Sequence, residues 1–368
     1  MSMWSRSAVV LFTLFTAAAC GHPSPPRAPG PPPQPEVGTA RPAHALPPQP
    51  EPEPPDQPPP PSTCGGPKLR VAFFNAGQAL AALVTLPDGR HILVDTGDAA
   101  TRPGCGAPCK AWHQRVMAGL ARELGAAPID LLWITHPHSD HIGGAVDVLT
   151  KFTVTAYVDN GRDLTGATVK RTRDALDGHH VPITVVEPGS TTIPLASSGG
   201  VTLTAIVPPA WYPQCAGNAN VCSILLRIDY CASSILFTGD AEDLEEADLT
   251  ISAPVTLLQV GHHGSNTSST AAMLDQAQPK YAVISTGLPG EGTNRTYCHP
   301  RKETVDALTV KLGGAGSSVI HAFPSTGRCA GAAASTWVDE PASDRLWETA
   351  RDGDVVLTTT GDGVFGRE

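Results

Sequence analysis

This chain is short of several things, and each shortage removes a class of function. Basic residues are scarce, with 25 lysines and arginines against 35 aspartates and glutamates. Setting aside Arg6, Arg27, Arg41, Glu36, Glu51, Glu53 and Asp56 leaves 22 against 31, a formal charge of −9 for residues 63–368. Such a surface repels phosphate backbones, so tight non-specific nucleic-acid binding is not expected, and a dedicated nuclease is disfavoured. Long apolar runs are also missing. The longest, Ala8 to Ala19, is too short to span a bilayer comfortably, which excludes a multi-span transport channel. No repeat of fixed short period marks a solenoid. The cysteines lack the close paired spacing of a structural zinc site.

What is present begins with an export signal. Arg6 precedes the apolar stretch, and Ala17-Ala18-Ala19-Cys20 resembles a bacterial lipobox in which the cysteine is lipidated after cleavage. Ala17 replaces the usual leucine, so an ordinary cleaved signal is the alternative. The expected location is the bacterial cell envelope, with the membrane reached through a lipid anchor only, or the exterior without lipidation. Residues 21–62 are dominated by proline, as in Pro31-Pro32-Pro33 and Pro58-Pro59-Pro60-Pro61, and read as an extended, disordered spacer. Residues 63–368 are long enough for one large domain. Export and the eight cysteines left after Cys20 predict disulfides. Cys105 with Cys109 and Cys298 with Cys329 are the pairs expected, while the pairing of Cys64, Cys215, Cys222 and Cys231 stays open.

Short runs rich in valine, isoleucine and leucine predict strands near 69–75, 80–86, 91–94, 129–134, 154–158, 201–206, 223–229, 233–238, 255–260, 280–285 and 354–359. Helices are predicted near 111–124, 142–150, 166–177, 241–249, 268–277 and 301–312. This alternation is that of α/β sheets covered by helices.

The chemistry lies in Thr135-His136-Pro137-His138-Ser139-Asp140-His141-Ile142-Gly143-Gly144, directly after an apolar strand. Three imidazoles and a carboxylate within six residues are nitrogen and oxygen donors at metal-ligand spacing. The order His-x-His-x-Asp-His-x-Gly-Gly resembles the signature of the metallo-β-lactamase fold superfamily. Asp95 in Ile92-Leu93-Val94-Asp95-Thr96-Gly97, Asp240 in Phe237-Thr238-Gly239-Asp240 and the segment Gly261-His262-His263-Gly264-Ser265 resemble its other motifs in the expected order. Within it, His-His-Gly-Ser and Asn220-Val221-Cys222-Ser223 are similar to the hydrolase domain of ComEC-type competence proteins and its stand-alone secreted relatives. The resemblance covers about residues 68–322.

The resemblance implies a four-layer αββα sandwich with its active site along one edge, and two divalent metal ions, zinc or alternatively manganese. It implies that His136 and His138 bind one ion, that Asp140, His141 and His262 bind the other, and that Asp240 bridges them. It leaves open which of His262 and His263 is the ligand. His263 and His299 are expected to contact substrate or move a proton, with Asp140 orienting a metal-bridging hydroxide. Asp95, Asn220 and Ser223 are expected to stand behind the ligands and orient them. Arg171, Arg173, Arg301 and Lys302 are the local cations that would draw an anion to the site.

Two departures matter. The further histidine that many members carry between the first motif and Asp240 has no counterpart, since His179 and His180 lie out of context. Gly77-Gln78-Ala79-Leu80 also lacks the carboxylate of the family's first hairpin. The expected activity is hydrolysis of a small or polymeric phosphoester. A β-lactamase-type amide hydrolase and a non-catalytic metal-binding envelope module are the alternatives.

Overall fold

A computed structural model describes residues 64–190, 193–251, 254–324, 329 and 331–368. The expected export signal, Cys20 and the proline-rich segment 21–62 lie outside the described residues. Two large sheets form the centre. One has eight strands in the order Gly366–Arg367, Val355–Thr359, Leu69–Phe73, Ala82–Thr85, His91–Val94, Leu131–Trp133, Tyr157–Asp159 and Ile183–Val185. The other has six, in the order Leu346–Glu348, Tyr281–Ile284, Leu257–Gln259, Ser233–Phe237, Leu225–Tyr230 and Val201–Ile206.

Alternation along the strands builds the layers, because successive side chains point to opposite faces. Leu69, Val71 and Phe73 enter the core between the sheets, where Phe73 meets Phe237 of the other sheet with ring centroids 5.7 Å apart. Ala72 and Phe74 face the other way, under the helix Ala107–Leu124, which buries Val116, Leu120 and Leu124 on that side. On the far face of the second sheet, Leu258 and Ile284 pack under Met273 and Leu274 of the helix Ala271–Ala277 and Val305 and Leu308 of the helix Lys302–Lys311. The result is the αββα order. Both sheets are buried on two faces, which is why their central strands read as continuous apolar runs rather than alternating ones.

The strands missed from the sequence are the short or peripheral ones. Ile183–Val185 is an edge strand with an exposed pattern, and Ser318–Ala322 with Val338–Ala342 forms a separate two-stranded ribbon. The helix predicted over 241–249 shrinks to Asp243–Glu246. Its carboxylates are drawn inward: Glu246 accepts from the backbone of Ser269 and Thr270, and Glu245 from that of Ser223. Cys105–Cys109 and Cys298–Cys329 are paired, and the two open connectivities resolve as Cys64–Cys231 and Cys215–Cys222. Among the described residues no helix is long and apolar enough to cross a membrane.

Candidate metal centre

The His-rich loop is shaped by what precedes and follows it. Strand Leu131–Trp133 runs parallel to His91–Val94, so the loops after both emerge at the same sheet end. Asp95, wholly buried at positive φ, accepts from the Thr135 backbone N–H and the Thr135 hydroxyl, both at 2.8 Å, and from His141 Nδ1 at 2.7 Å. The Gly143-Gly144 pair is needed because a Cβ at either position would collide with the backbone of residues 96–99.

The second sheet supplies the rest. Gly239 brings the loop after Ser233–Phe237 so close to Thr135 that a Cβ would lie 2.7 Å from that of Thr135, and its φ of 55° is left-handed. Asp240 follows. The loop after Leu257–Gln259 carries His262 and His263, at φ 47° and 55°, a conformation costing side chains of this kind roughly 1–2 kcal/mol each. Gln259 holds these two loops together, its Oε1 accepting from the Thr238 and Gly239 N–H groups and its Nε2 donating to the Gly239 and Val260 carbonyls.

Two overlapping groups have donor atoms mutually within 4.8 Å: His136, His141 and Asp240, and Asp140, His141 and His263. His141 Nε2 lies 3.1 Å from Asp240 Oδ1 and 3.3 Å from His263 Nε2. Asp240 Oδ2 is 3.6 Å from His263 Nε2 and 3.9 Å from His136 Nε2. The donor set fits a cation. With His141 Nδ1–H directed to Asp95 and His263 Nδ1–H to the Ser285 carbonyl at 2.7 Å, both Nε2 atoms turn lone pairs toward the Asp240 carboxylate, His141 toward Oδ1, which is buried with no hydrogen-bond donor, and His263 toward Oδ2. Several acceptors converge with no donor among them unless a proton or a metal ion supplies the positive charge.

The electrostatics follow from this crowding. Burial opposes charge on His141, yet Asp240 and Asp95 outweigh it and hold its pKa well above the ordinary value. Burial and the His141 charge push His136 well below. Asp240 and Asp140 both stay ionised against burial, Asp240 through His141, His263 and His262, Asp140 through His141, His263 and Arg102.

The placement of the remaining residues differs in part from the sequence-based assignment. His262 stands in neither group. Its Nδ1 faces Glu242 Oε1 at 3.2 Å and its Nε2 lies 3.4 Å from Asn220 Nδ2 and 3.7 Å from Asp240 Oδ2, while His263 takes the position beside Asp140 and His141. His138 is also outside both groups, with Nδ1 3.1 Å from His136 Nε2. His299 is buried at the pocket wall, its Nδ1 facing the Gln78 amide at 3.1 Å, and burial beside His262 and His263 keeps it neutral. Ser223 Oγ accepts from the Asp240 N–H, and Asn220 Nδ2 donates to Glu242. Ala79 and Leu80 are core residues, and the Leu80 N–H donates to the Asp140 carbonyl. Arg171, Arg173, Arg301 and Lys302 do not line the pocket: Arg173 is paired with Asp159 and Lys302 with Glu340 and Asp306. The pocket's cation is instead Arg102, 3.6 Å from Asp140 and hydrogen-bonded to Asp98 and the Tyr297 hydroxyl. Arg102 and Glu242 gave no sequence signal beyond their charge.

Residues 74–209 match the model of the metallo-beta-lactamase superfamily. Recombination protein 2 of Haemophilus influenzae is 30% identical over 227 residues, 60% of this chain and 24% of that protein. ComE operon protein 3 of Bacillus subtilis is 26% identical over 251 residues, 65% of this chain and 30% of that protein. The chain thus spans 24% and 30% of the length of these curated relatives. Among solved structures, the metallo-beta-lactamase fold protein YhfI from Bacillus subtilis is 14% identical with a TM-score of 0.38, covering 59% of this chain and 86% of that one. The fold implies divalent metal binding, for which the two His and Asp groups are the candidates. Residues 74–209 thus carry a metallo-beta-lactamase domain, and ComEC-type competence proteins are among the homologues of this chain.

Proposed function

We propose that this chain is an exported metal-dependent hydrolase acting on a phosphoester, with two divalent ions, zinc or manganese, side by side. The observation that carries this reading is the pair of overlapping donor groups around Asp240. His141 has one free lone pair and serves one ion, whereas the two oxygens of Asp240 can serve two. His136 and Asp240 would then hold one ion, and Asp140 and His263 the other, with His141 completing one shell. Paired ions supply Lewis acidity and an activated water, the chemistry suited to in-line displacement at phosphorus.

The protein's own groups bind and orient. The pocket above the donors has a volume of about 130 Å³, room for a tetrahedral group rather than a whole substrate. Arg102 and the Tyr297 hydroxyl line one wall and suit a non-bridging phosphoryl oxygen. His299, with Nδ1 engaged by Gln78, has Nε2–H available as a neutral donor. His262 is backed by Glu242 at Nδ1, an arrangement that raises its pKa against burial through Asp240 and Glu242 and suits it to hold a proton for a leaving oxygen. The envelope location, through cleavage before Cys20 and lipidation, belongs to the same proposal.

The test is metal content per chain together with turnover of bis-p-nitrophenyl phosphate with and without added zinc or manganese. Two metals and turnover lost in Asp240→Ala are expected. A chain that retains no metal and hydrolyses nothing under any metal supplied would overturn the reading. Membrane fractionation of the Cys20→Ser variant checks the anchor: release from the membrane is expected, and unchanged retention would refute it.

A further inference from the structure

Beside the centre, beginning at His138, lies a groove of about 560 Å³. His138 lines both this groove and the small pocket above the candidate ligands, so the two share a wall. The opposite side is the segment Tyr212 to Ala219, two tight turns closed by the disulfide Cys215–Cys222. Tyr212 is fixed there by its hydroxyl, which donates to Asp248 at 2.8 Å. The disulfide loop also carries Asn220 into the centre, so groove wall and site are braced by the same segment.

Arg162 lines this groove. Its guanidinium lies over the Trp211 ring, 5.0 Å from the centroid, and among the described residues it makes no ion pair. Its neighbour Asp163 also lines the groove, but makes no ion pair with Arg162 and turns its carboxylate back against Gly166. Other arginines held in or beside the fold's interior are committed to carboxylates. Arg102 is committed to Asp98, Arg173 to Asp159 and Arg227 to Asp229. In a chain with ten more carboxylates than cations, an arginine stacked on an aromatic face, half-buried and left without a carboxylate, is a prepared anion site.

We infer that the groove is a substrate subsite and that Arg162 is its specificity-determining residue, selecting phosphoesters that carry a second negative charge beyond the reacting group. This rests on the phosphoesterase reading above. The small pocket takes the reacting phosphoryl group, and the groove takes the rest of the molecule, whose second anion meets Arg162.

The experiment uses the full chain loaded with zinc and two p-nitrophenyl phosphodiesters of matched shape, one ending in a carboxylate and the other in the corresponding carboxamide. The wild-type chain is expected to favour the carboxylate by about ten-fold in KM, the scale of one charge-assisted hydrogen bond. Arg162→Gln should erase that preference while leaving kcat on the carboxamide within about two-fold, and Arg162→Glu should invert it. Calorimetric binding of the same two compounds reads the preference independently of turnover. No preference in the wild type, or one that survives Arg162→Gln, overturns the subsite. Preferential binding of the carboxylate with no hydrolysis of either compound supports the subsite and counts against the phosphoesterase reading instead.

Discussion

Asp95→Asn isolates the role of a carboxylate that touches no pocket surface. The wild-type Oδ1 accepts from the Thr135 N–H, and Oδ2 accepts from the Thr135 hydroxyl and His141 Nδ1. An asparagine must keep its oxygen toward the Thr135 N–H, since a buried amide with no acceptor costs about 1–3 kcal/mol. Its NH₂ group then occupies the Oδ2 position and faces His141 Nδ1. The hydroxyl of Thr135 can turn to accept, but an imidazole Nδ1–H cannot. His141 is therefore driven to the other tautomer, with its proton on Nε2, pointing at Asp240 and His263. That removes the lone pair which a metal requires. Loss of such an orienting partner lowers metal affinity about 10- to 100-fold, or about 1.4–2.7 kcal/mol.

The assay is zinc competition against a chromophoric chelator at pH near 7.5, for wild type and Asp95→Asn, with the apo-protein melting temperature of each as a control on folding. A variant that folds like the wild type yet binds zinc within about two-fold of it would refute the tautomer argument. Asp95→Ala should lose as much affinity and also destabilise the apo protein, because Thr135 N–H is then left buried without an acceptor.

Two further perturbations follow from the packing. Gly239→Ala places a Cβ 2.7 Å from that of Thr135 at a positive φ, and is expected to cost about 2–4 kcal/mol and to weaken metal binding, read by thermal denaturation with and without zinc; an unshifted melting temperature would contradict the close approach. Glu348 is buried, and desolvation pushes its pKa up to about 8. Its folded pKa exceeds the unfolded one, so its contribution is present at acid pH and is lost as pH rises toward about 8. Denaturant titrations should show the wild type losing about 2 kcal/mol between pH 6 and pH 8 relative to Glu348→Gln, and parallel pH profiles would refute the assignment.

The sequence made the sheet centres and the His-rich loop legible because both are local signals. A run such as Leu131-Leu132-Trp133-Ile134 declares a strand buried on both faces, and the ligand order of residues 136–141 is contained in one loop. The division of labour between His262 and His263 was not legible. Both occupy the left-handed turn, and what separates them lies far away in the chain: the Ser285 carbonyl for one and Glu242 for the other. Gln259 reads as an ordinary strand-end residue, and its side-chain hydrogen bonds to Thr238 and Gly239 arise only once the loops of two neighbouring strands meet. Arg162 was likewise invisible, since its lack of a carboxylate partner is a fact about its surroundings and not about its neighbours in sequence.

The location of the centre has a cause that links fold to chemistry. His91–Val94 and Leu131–Trp133 are parallel neighbours in one sheet, and Ser233–Phe237, Leu257–Gln259 and Tyr281–Ile284 are parallel neighbours in the other. Every donor, and the Ser285 carbonyl behind His263, lies in a loop leaving the C-terminal end of one of these strands, where parallel sheets leave backbone groups and side chains free to converge. Asp95, Asp140 and Asp240 therefore meet within one buried cluster that spans the seam between the sheets, with Arg102 at its edge. Their charge is balanced by the imidazoles only if a proton is taken up, as the raised pKa of His141 records. Divalent ions offer the same balance without protonating the ligands. Metal loading should then draw the two sheet ends together and stabilise the fold by mass action, about 2.7 kcal/mol at a hundred-fold excess over Kd.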